Sequence, residues 1–385
     1  MTFPRDGERP GPAWPPIRHV TLGKANPERP NGVNVVVHNL ALAGRRAGAD
    51  VEVWGLTHDT TNNSLPRAYP LRLFRRSRLR FALGRELRAA IAASSPDTVF
   101  HMHGVMNPEF YGVARALAAA GRRWIVSPHG AYNAASLRHR QRRKRVFIRL
   151  FDRFLVGRAA AIHLLAEDEA DGVRAWIPLP RAILLPNGQD VPDTGTRADP
   201  GNVAPVFGYV GRLAARQKGL DLLLEGFAAY RAAGGTGMLS IVGGGSEQAD
   251  LEALAKRLDL GTAVRFAGAR FGDEKVALVA GMDWFVHTSR WDGIPMAALE
   301  AAATGCPLLV TPATNIAADV TRWQAGLALT DNSPEVIAAG LAEAERLHGA
   351  GTTGTMGANA QAMIREDFSW DTIVRRFAGE LQGLS

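Results

Sequence analysis

Short apolar segments alternate with amphipathic segments along the chain from Ile17 onward. The apolar segments have the length and residue types of buried strands, and the segments between them carry apolar residues at helical spacing. Repeated strand–helix–strand units indicate a parallel sheet with right-handed crossovers. The predicted strands of this first series are Ile17–Leu22, Val51–Leu56, Asp97–His101, Trp124–Ser127, Ala161–Leu165 and Ile183–Leu185. The predicted helices are Val33–Arg46, Phe81–Ala93, Glu109–Ala119, Arg138–Leu155 and Glu167–Ala175.

A second series of the same kind follows an interruption. Residues 189–205 contain three prolines and two glycines among Asp and Thr residues, which is typical of a linker. The strands predicted after it are Val206–Val210, Met238–Val242, Val264–Ala267, Trp284–His287 and Leu308–Thr311. The helices are Leu220–Ala232, Ser246–Leu258, Asp273–Ala280, Met296–Ala303, Ile316–Ala325 and Pro334–Leu347. A Gly/Thr-rich connector is expected at 349–357, and a last helix from Trp370 to about Gln382.

The length of 385 residues favours two domains of roughly 180 residues each. The single cysteine, Cys306, excludes an internal disulfide and suits a cytoplasmic protein. The Pro- and Gly-rich residues 1–16 are expected to form a mobile tail and have no signal-peptide pattern. The net charge of +8 allows nucleic acid, an acidic substrate or an anionic membrane as a partner.

The segment Ser289–Glu300 combines a loop, a proline, a helix start and two carboxylates, Asp292 and Glu300. A helix N-terminus has free N–H groups and the positive end of the helix dipole, which together favour an anion. Ionised carboxylates only accept hydrogen bonds, so carboxylates beside an anion are suited to hydroxyl groups. A ligand with an anionic group flanked by hydroxyl groups is typically a sugar nucleotide, so this segment predicts a sugar-nucleotide site.

Two further segments of the second series have anion-binding character. Arg212 and Lys218 lie at a strand–loop–helix junction and would suit a diphosphate, although both could equally be solvated loop charges. The Gly-rich turn Gly243–Glu247 follows a strand and allows close approach of a ligand, or has a purely structural role. It lacks the third glycine and the acidic residue of a dinucleotide-binding motif.

In the first series, His103 and His129 each lie two residues after the end of a predicted strand and precede a glycine. Metal binding is not expected of this pair, because neither Cys nor carboxylate ligands accompany it. The segment Arg138–Arg149 contains seven Lys or Arg with aromatic residues at helical spacing behind them. It would form either a membrane-binding amphipathic helix or an ordinary solvated one. Nucleic acid is not expected as a partner.

Four motifs follow one another along the second half of the chain, in the order Gly211–Asp221, Val242–Ser246, Val264–Gly268 and Asp292–Ala301. With them the chain strongly resembles the retaining glycosyltransferases of family 4. The resemblance implies the GT-B fold, in which two doubly wound Rossmann-like α/β domains face a central cleft. It implies a mobile tail at 1–16, an acceptor-side domain at 17–188 and a linker at 189–205. A nucleotide-sugar domain at 206–367 and a C-terminal helix at 368–385, crossing back to the first domain, complete the organisation.

The resemblance also assigns roles to residues of the second domain. Arg212 and Lys218 would neutralise the donor diphosphate and stabilise the leaving nucleotide, with no metal or other cofactor. Asp292 would contact donor-sugar hydroxyls, and Glu300 would hold the ribose. Further donor contacts are expected from Gly211, Gly243, Gly245, Phe266, Gly293, Ile294, Pro295 and Met296. The family has Glu where this chain has Asp292, so the carboxylate stops over ~1 Å short, which affects the choice of donor sugar.

In the first domain, Gly32 matches a glycine-rich loop near the donor phosphate, and Asn31 stands where the family has another glycine. His129 matches a histidine that faces the donor sugar. His103 and Asn187 are expected near the acceptor, and Glu167 and Glu169 are further candidates there.

The sequence therefore predicts a cytoplasmic hexosyltransferase-type enzyme, peripheral to the inner face of the membrane if the basic helix binds lipid. It would transfer sugar from a UDP- or GDP-linked donor, with retention, to a saccharide or lipid-linked acceptor in cell-surface polysaccharide or glycolipid synthesis. Two alternatives stay open: a sugar-nucleotide epimerase or hydrolase on the same fold, and a non-catalytic nucleotide-sugar-binding protein. A nicotinamide-dependent dehydrogenase is a more distant alternative.

Overall fold

The computed structural model describes residues 14–26, 32–61, 67–132, 141–165, 167–192 and 203–384. The chain divides into two units, one comprising Met1–Gly188 with Trp370–Ser385 and the other comprising Gln189–Ser369. Each unit is a parallel sheet with helices on its faces. The predicted class of two doubly wound α/β domains is confirmed.

Unit 1 has a seven-stranded sheet of order β3-β2-β1-β4-β5-β6-β7. Its strands are β1 (Ile17–Leu22), β2 (Val51–Thr57), β3 (Leu71–Arg75), β4 (Val99–His103), β5 (Arg123–Ser127), β6 (Ala161–Leu164) and β7 (Ala182–Leu184). Its helices are α1 (Gly32–Arg46), α2 (Arg85–Ala93), α3 (Pro108–Ala119), α4 (Gln141–Phe147), α5 (Arg153–Leu155), α6 (Glu167–Arg174) and the C-terminal Trp370–Gln382. A π-helical turn, Ile148–Asp152, joins α4 to α5. The C-terminal helix packs on α1.

Unit 2 has a six-stranded sheet of order β10-β9-β8-β11-β12-β13. Its strands are β8 (Val206–Val210), β9 (Met238–Val242), β10 (Val264–Gly268), β11 (Trp284–His287), β12 (Leu308–Val310) and β13 (Gly326–Ala328). Its helices are α7 (Ala215–Lys218), α8 (Leu220–Ala232), α9 (Gln248–Arg257), α10 (Gly272–Ala280), α11 (Met296–Ala303), α12 (Ala317–Trp323), α13 (Pro334–Gly349) and α14 (Thr353–Met363). The C-terminal helix of unit 1 is accordingly α15.

The strand order reverses once in each sheet, between β1 and β4 in unit 1 and between β8 and β11 in unit 2. We call these places the β1/β4 junction and the β8/β11 junction. In an open parallel sheet the loops leave such a junction in opposite directions, which opens a crevice at the carboxyl ends of the strands. The fold thus predicts a ligand-binding position in each unit.

Four elements differ from the sequence prediction, one of them the short helix α7. Strands β3 and β13 were not expected, and α14 replaces most of the predicted connector at 349–357. Both strands are short and lie at sheet edges, so β3 has one buried residue and β13 has none, and their apolar pattern is weak. Helix α14 has little amphipathic character and depends on packing against α11 and α12. Among the described residues, none of the helices combines the length and apolar character needed to span a membrane.

Candidate functional site

A cavity of about 270 Å³ lies at the β8/β11 junction of unit 2. The ends of β8 and β11 and the segments that follow them supply its wall, as the reversal of strand order requires. Its lining residues are Tyr209, Val210, Gly211, Arg212, Lys218, His287, Asp292, Ile294, Pro295, Met296 and Ala297. Two cations and one carboxylate of the sequence prediction, Arg212, Lys218 and Asp292, therefore share one cavity.

Three donors converge on one carboxylate oxygen, Oδ2 of Asp292. The Lys218 ammonium donates to it at close range, His287 Nε2 lies 2.9 Å away, and the Ser289 hydroxyl donates from 3.2 Å. The Lys218 and Asp292 side chains are only 14% and 13% exposed, so their ion pair is largely shielded from water. The carboxylate that was expected to contact a sugar thus also binds the lysine that was expected to contact phosphate.

The environment determines the charge states in this cluster. Burial by itself would raise the pKa of Asp292, but the His287 hydrogen bond and the Lys218 charge outweigh it and the net pKa is lowered. Burial lowers the pKa of His287, with Lys218 adding to the effect against the opposing Asp292 hydrogen bond. Asp292 is therefore ionised at neutral pH, and His287 is neutral with its hydrogen on Nε2.

The position of Lys218 is fixed by contacts between the two loops. Gly219 has a left-handed backbone with φ of 63°, and a side chain there would collide with the carbonyl of Thr288. Arg290 makes a two-pronged ion pair with Asp221, with N···O distances of 2.7 and 2.8 Å. The Arg290 backbone N–H also donates to Gln217 O. Lys218 therefore sits on a short helix that is held against the end of β11.

Helix α11 points its N-terminus at the same cavity. The N–H groups of Ala298 and Leu299 both bond to Pro295 O, and the preceding Met296 and Ala297 line the cavity. The first N–H groups of a helix have no partner within the helix and carry the positive end of its dipole. Arg212, an exposed residue whose Nη2 donates to Gln217, adds a second cation. The cavity is thus equipped for an anion.

A second cavity of about 430 Å³ adjoins the first and shares Val210, Gly211 and Arg212 with it. Its other lining residues are Val242, Gly243, Gly244, Ala269, Arg270, Phe271 and Lys275. The Lys275 ammonium donates to Glu300 Oε2 across 2.7 Å. This ion pair brings Glu300 to the edge of the second cavity.

The remaining residues that were predicted to contact the sugar-nucleotide donor have different roles in the structure. A side chain at Gly243 or Gly245 would collide with the backbone of Gly211 or Leu213, so these glycines serve close packing of the loops. Phe266 lies in β10 and packs on the hydrophobic core. Gly293 belongs to the loop between β11 and α11, next to the cavity-lining Ile294.

In unit 1, His103 and His129 lie next to each other at the ends of β4 and β5, with His103 Nδ1 3.0 Å from His129 Nε2. His129 has a left-handed backbone with φ of 54°. Its turn is held by Glu169, which accepts hydrogen bonds from the N–H groups of Gly130 and Leu165. Glu169 is therefore a positioning residue for His129.

The other unit 1 predictions are less informative. Gly32 begins α1 and is exposed, and Asn187 is buried after β7. Asn31 lies outside the described residues, as do residues 138–140 of the basic segment. Glu167 is exposed on the surface of α6, where it pairs with Arg174.

Sequence reasoning missed His287, Arg290 and Lys275. His287 ends a buried strand, which is the signal that identified His103 and His129, so it could have been found. Arg290 and Lys275 gave no such signal, because their partners are 69 and 25 residues away in the chain.

Two family models match the chain, one in each unit. The "Glycosyl transferase 4-like domain" matches residues 31–188, and "Glycosyl transferases group 1" matches residues 204–345. Among solved structures, the chain is similar to Anabaena HepE in complex with UDP, with a TM-score of 0.68 and 18% identity over 96% of this chain and 100% of that one. The fold is therefore GT-B, as the resemblance implied, and each unit matches the model of a glycosyltransferase domain.

Two curated relatives match shorter segments. A GDP-mannose-dependent alpha-mannosyltransferase of Mycobacterium tuberculosis is 36% identical over 125 residues, 32% of this chain and 30% of the relative. A putative colanic acid biosynthesis glycosyltransferase, WcaL of Salmonella typhimurium, is 28% identical over 172 residues, 43% of this chain and 42% of the relative. The chain thus spans less than half of the length of these two relatives.

Proposed function

We propose that this pair of glycosyltransferase domains transfers a sugar from a nucleoside diphosphate donor to an acceptor hydroxyl, with retention of the anomeric configuration. One observation carries the proposal: Lys218, Arg212 and the N-terminus of α11 surround one cavity in unit 2. All three carry positive charge or partial positive charge, and a diphosphate is the part of a sugar nucleotide that needs it.

In the proposed reaction, charge develops on the diphosphate oxygen as the bond to the sugar breaks. Lys218, Arg212 and the first N–H groups of α11 stabilise that charge, so the donor site itself works without a metal. Lys218 is paired with Asp292. When the donor binds, the Lys218 ammonium therefore exchanges part of its interaction with Asp292 for an interaction with phosphate. Asp292 and His287 still keep the lysine in place.

The nucleoside is assigned to the second cavity, where Glu300 accepts hydrogen bonds from the ribose hydroxyls. Lys275 neutralises Glu300 until the ribose binds. Both UDP and GDP are proposed donor nucleotides. HepE has a structure with UDP, and the Mycobacterium relative is described as GDP-mannose-dependent.

The proposed acceptor is a saccharide or lipid-linked hydroxyl in the synthesis of a cell-surface polysaccharide or glycolipid. The name of the Salmonella relative supports this class. The proposed location is the cytoplasmic face of the membrane, because α4 and the turn after it present basic residues beside the exposed Val146 and Leu150. Replacing Arg142, Arg143 and Arg145 by Gln should reduce binding to anionic vesicles, and unchanged binding would remove the membrane from the proposal.

The deciding experiment measures the melting temperature of the chain with UDP, GDP, ADP and NAD⁺. A ligand that binds only the native state raises the melting temperature, and we expect this from UDP or GDP alone. The sugar forms of the active nucleotide are then incubated with and without saccharide acceptors, and the products are read by NMR.

We expect a new glycosidic bond with retained configuration, formed only when an acceptor is present. Release of free sugar or an epimerised donor without acceptor would favour the epimerase or hydrolase. Tight nucleotide binding with no turnover over a broad acceptor panel would favour the binding protein.

A further inference from the structure

The β1/β4 junction of unit 1 gathers histidines from four neighbouring strands. His19 lies in β1, His101 and His103 in β4, His163 in β6, and His129 just after β5. We call the first three, His19, His101 and His103, the histidine cluster. They are 2%, 0% and 3% exposed, and one ring nitrogen of each lies within 4.8 Å of one from each of the others. The proposed transfer reaction gives His19 and His101 no role.

The hydrogen bonds beyond His101 determine which of its ring nitrogens carries a hydrogen. His163 Nε2 lies 3.0 Å from the carbonyl of Leu185, which can only accept, so this nitrogen donates. His163 Nδ1 then accepts from the Ser127 hydroxyl at 2.9 Å, and Ser127 Oγ accepts from His101 Nε2 at 2.6 Å. His101 Nδ1 is therefore a bare lone pair, and it is buried with no hydrogen-bond partner among the described residues.

The other two members point ring nitrogens at each other. His19 Nδ1 lies 2.9 Å from His103 Nε2, while His103 Nδ1 lies 3.0 Å from His129 Nε2. If His103 donates from Nδ1 to His129, its Nε2 accepts from His19 Nδ1, and a metal ion would replace that hydrogen bond once His19 takes the tautomer with its hydrogen on Nε2. Imidazole nitrogens around a tetrahedral zinc ion stand about 3.4 Å apart. His19 Nδ1 and His103 Nε2 are 2.9 Å apart, and ligand nitrogens of all three residues lie within 4.8 Å of one another, so side-chain rotations would bring them onto one ion.

We propose that His19, His101 and His103 form a metal site for a divalent transition ion of the Zn²⁺ class. Neutral imidazole is a preferred ligand of these ions, whereas Mg²⁺ and Ca²⁺ require oxygen ligands. The ligands must be neutral, and burial lowers the pKa of all three.

The surrounding hydrogen bonds have the arrangement that such ligands require. A histidine ligand normally donates its second N–H to a fixed acceptor, which orients the ring. His101 donates to Ser127, and His103 can donate to His129. The fourth position is assigned to water or hydroxide, and hydroxide would also reduce the cost of a buried dication. The ion would tie β1 to β4, separately from the leaving-group chemistry proposed for unit 2.

The first test uses the tag-free full chain after removal of metals by a chelator. Co²⁺ serves as the probe, because four-coordinate nitrogen ligation gives it a visible absorption band that Zn²⁺ does not have. We expect one equivalent of Co²⁺ to bind at micromolar concentration, Zn²⁺ to displace it, and excess Mg²⁺ to have no effect. Absence of saturable Co²⁺ and Zn²⁺ binding in the wild-type chain would overturn the proposal without any variant.

Three variants then locate the site. His101→Ala should weaken Zn²⁺ binding at least about tenfold, and Ser127→Ala, which keeps all three ligands, about 10- to 100-fold. His58→Ala removes an exposed histidine of the same unit and should bind Zn²⁺ like the wild type. Binding of UDP or GDP by unit 2 and the circular dichroism spectrum check folding. Wild-type affinity in His101→Ala, or an equal loss in His58→Ala, would overturn the assignment.

Discussion

The β1/β4 junction and the β8/β11 junction occupy the same place in the same strand order, but they contain opposite kinds of polar group. In unit 1 the junction is filled by neutral histidines that bond to one another, to Ser127 and to the carbonyl of Leu185. In unit 2 it contains an ion pair, Lys218 with Asp292, with neutral His287 beside it. The backbone topology fixes where a site forms, and the side chains decide its chemistry.

Burial shifts pKa values at both junctions. The results differ because the β8/β11 junction places an opposite charge beside its carboxylate. Burial lowers the pKa of His19 and His129 to about 3, so each imidazole is neutral at physiological pH. Asp292 is largely shielded from water as well, but His287 and Lys218 hold its pKa below the ordinary value. One junction is therefore suited to metal ligation or neutral hydrogen bonding, and the other to exchanging one anion for another.

The largest expected effect follows from removing the cation of the β8/β11 junction. Lys218→Ala should lower the rate of sugar transfer by about 10²- to 10³-fold, because the leaving diphosphate loses its nearest charge. Initial rates at saturating donor are the measurement. Lys256→Ala, an exposed lysine of α9, is the control and should retain the wild-type rate. A Lys218→Ala enzyme with a near-normal rate would mean that this junction does not bind the phosphate.

The β1/β4 junction should make unit 1 sensitive to acid. In the unfolded chain the histidines gain protons below pH 6.5, whereas in the folded chain His19 and His129 have pKa values of about 3 and His163 of about 4. The unfolded state then binds more protons, so the free energy of unfolding falls as the pH drops below 6.5. We expect a loss of about 2 kcal/mol or more between pH 6.5 and pH 4 in metal-free protein.

One buried acid works in the opposite direction. Burial raises the pKa of Asp152 from 3.8 to about 7, so its contribution to stability falls as the pH rises through that range. Denaturant unfolding, with hydrogen exchange measured separately in β4 and β8, tests the balance between the histidines and Asp152. His163→Asn should show a shallower loss in acid, and His58→Ala the wild-type loss. An equal loss of stability in acid in the two units would contradict the difference that we describe between the two junctions.

A smaller effect is expected from neutralising the carboxylate that competes with the donor. Asp292→Asn should tighten the binding of UDP or GDP several-fold, because Lys218 no longer gives up an ion pair. The turnover number should fall about tenfold, since Lys218 and His287 lose the group that orients them. Calorimetry and steady-state kinetics separate the two effects. Weaker nucleotide binding in this variant would show that Asp292 contacts the donor directly.

The smallest effect concerns the second cavity. Glu300→Gln should raise the KM for the donor roughly fivefold, about 1 kcal/mol, with little change in the turnover number, because a ribose contact is kept throughout the reaction. Glu252→Gln, on exposed α9, should match the wild type. A fall in turnover without a change in KM would move Glu300 from ribose binding to the reacting end of the donor.

The alternation of apolar and amphipathic segments was sufficient to predict two parallel sheets, because buried strands and helices have different apolar spacing. It missed β3, where Arg72 and Arg75 interrupt an edge strand, and the three-residue β13. It also missed α14, which has glycine, threonine and alanine in place of an apolar stripe. These elements form because neighbouring elements cover them, and a single segment does not contain that information.

For the candidate site, the sequence by itself determined the types of group and their positions at strand ends and at a helix start: Arg212, Lys218, Asp292 and Glu300. The tertiary structure decided which groups meet. It paired Lys218 with Asp292, Lys275 with Glu300, and Arg290 with Asp221. It also brought His19 beside His101 and His103, and made them neutral by burial. Charge state and pairing depend on separations of a few ångströms and on access to water, and both are set by folding between residues far apart in the chain.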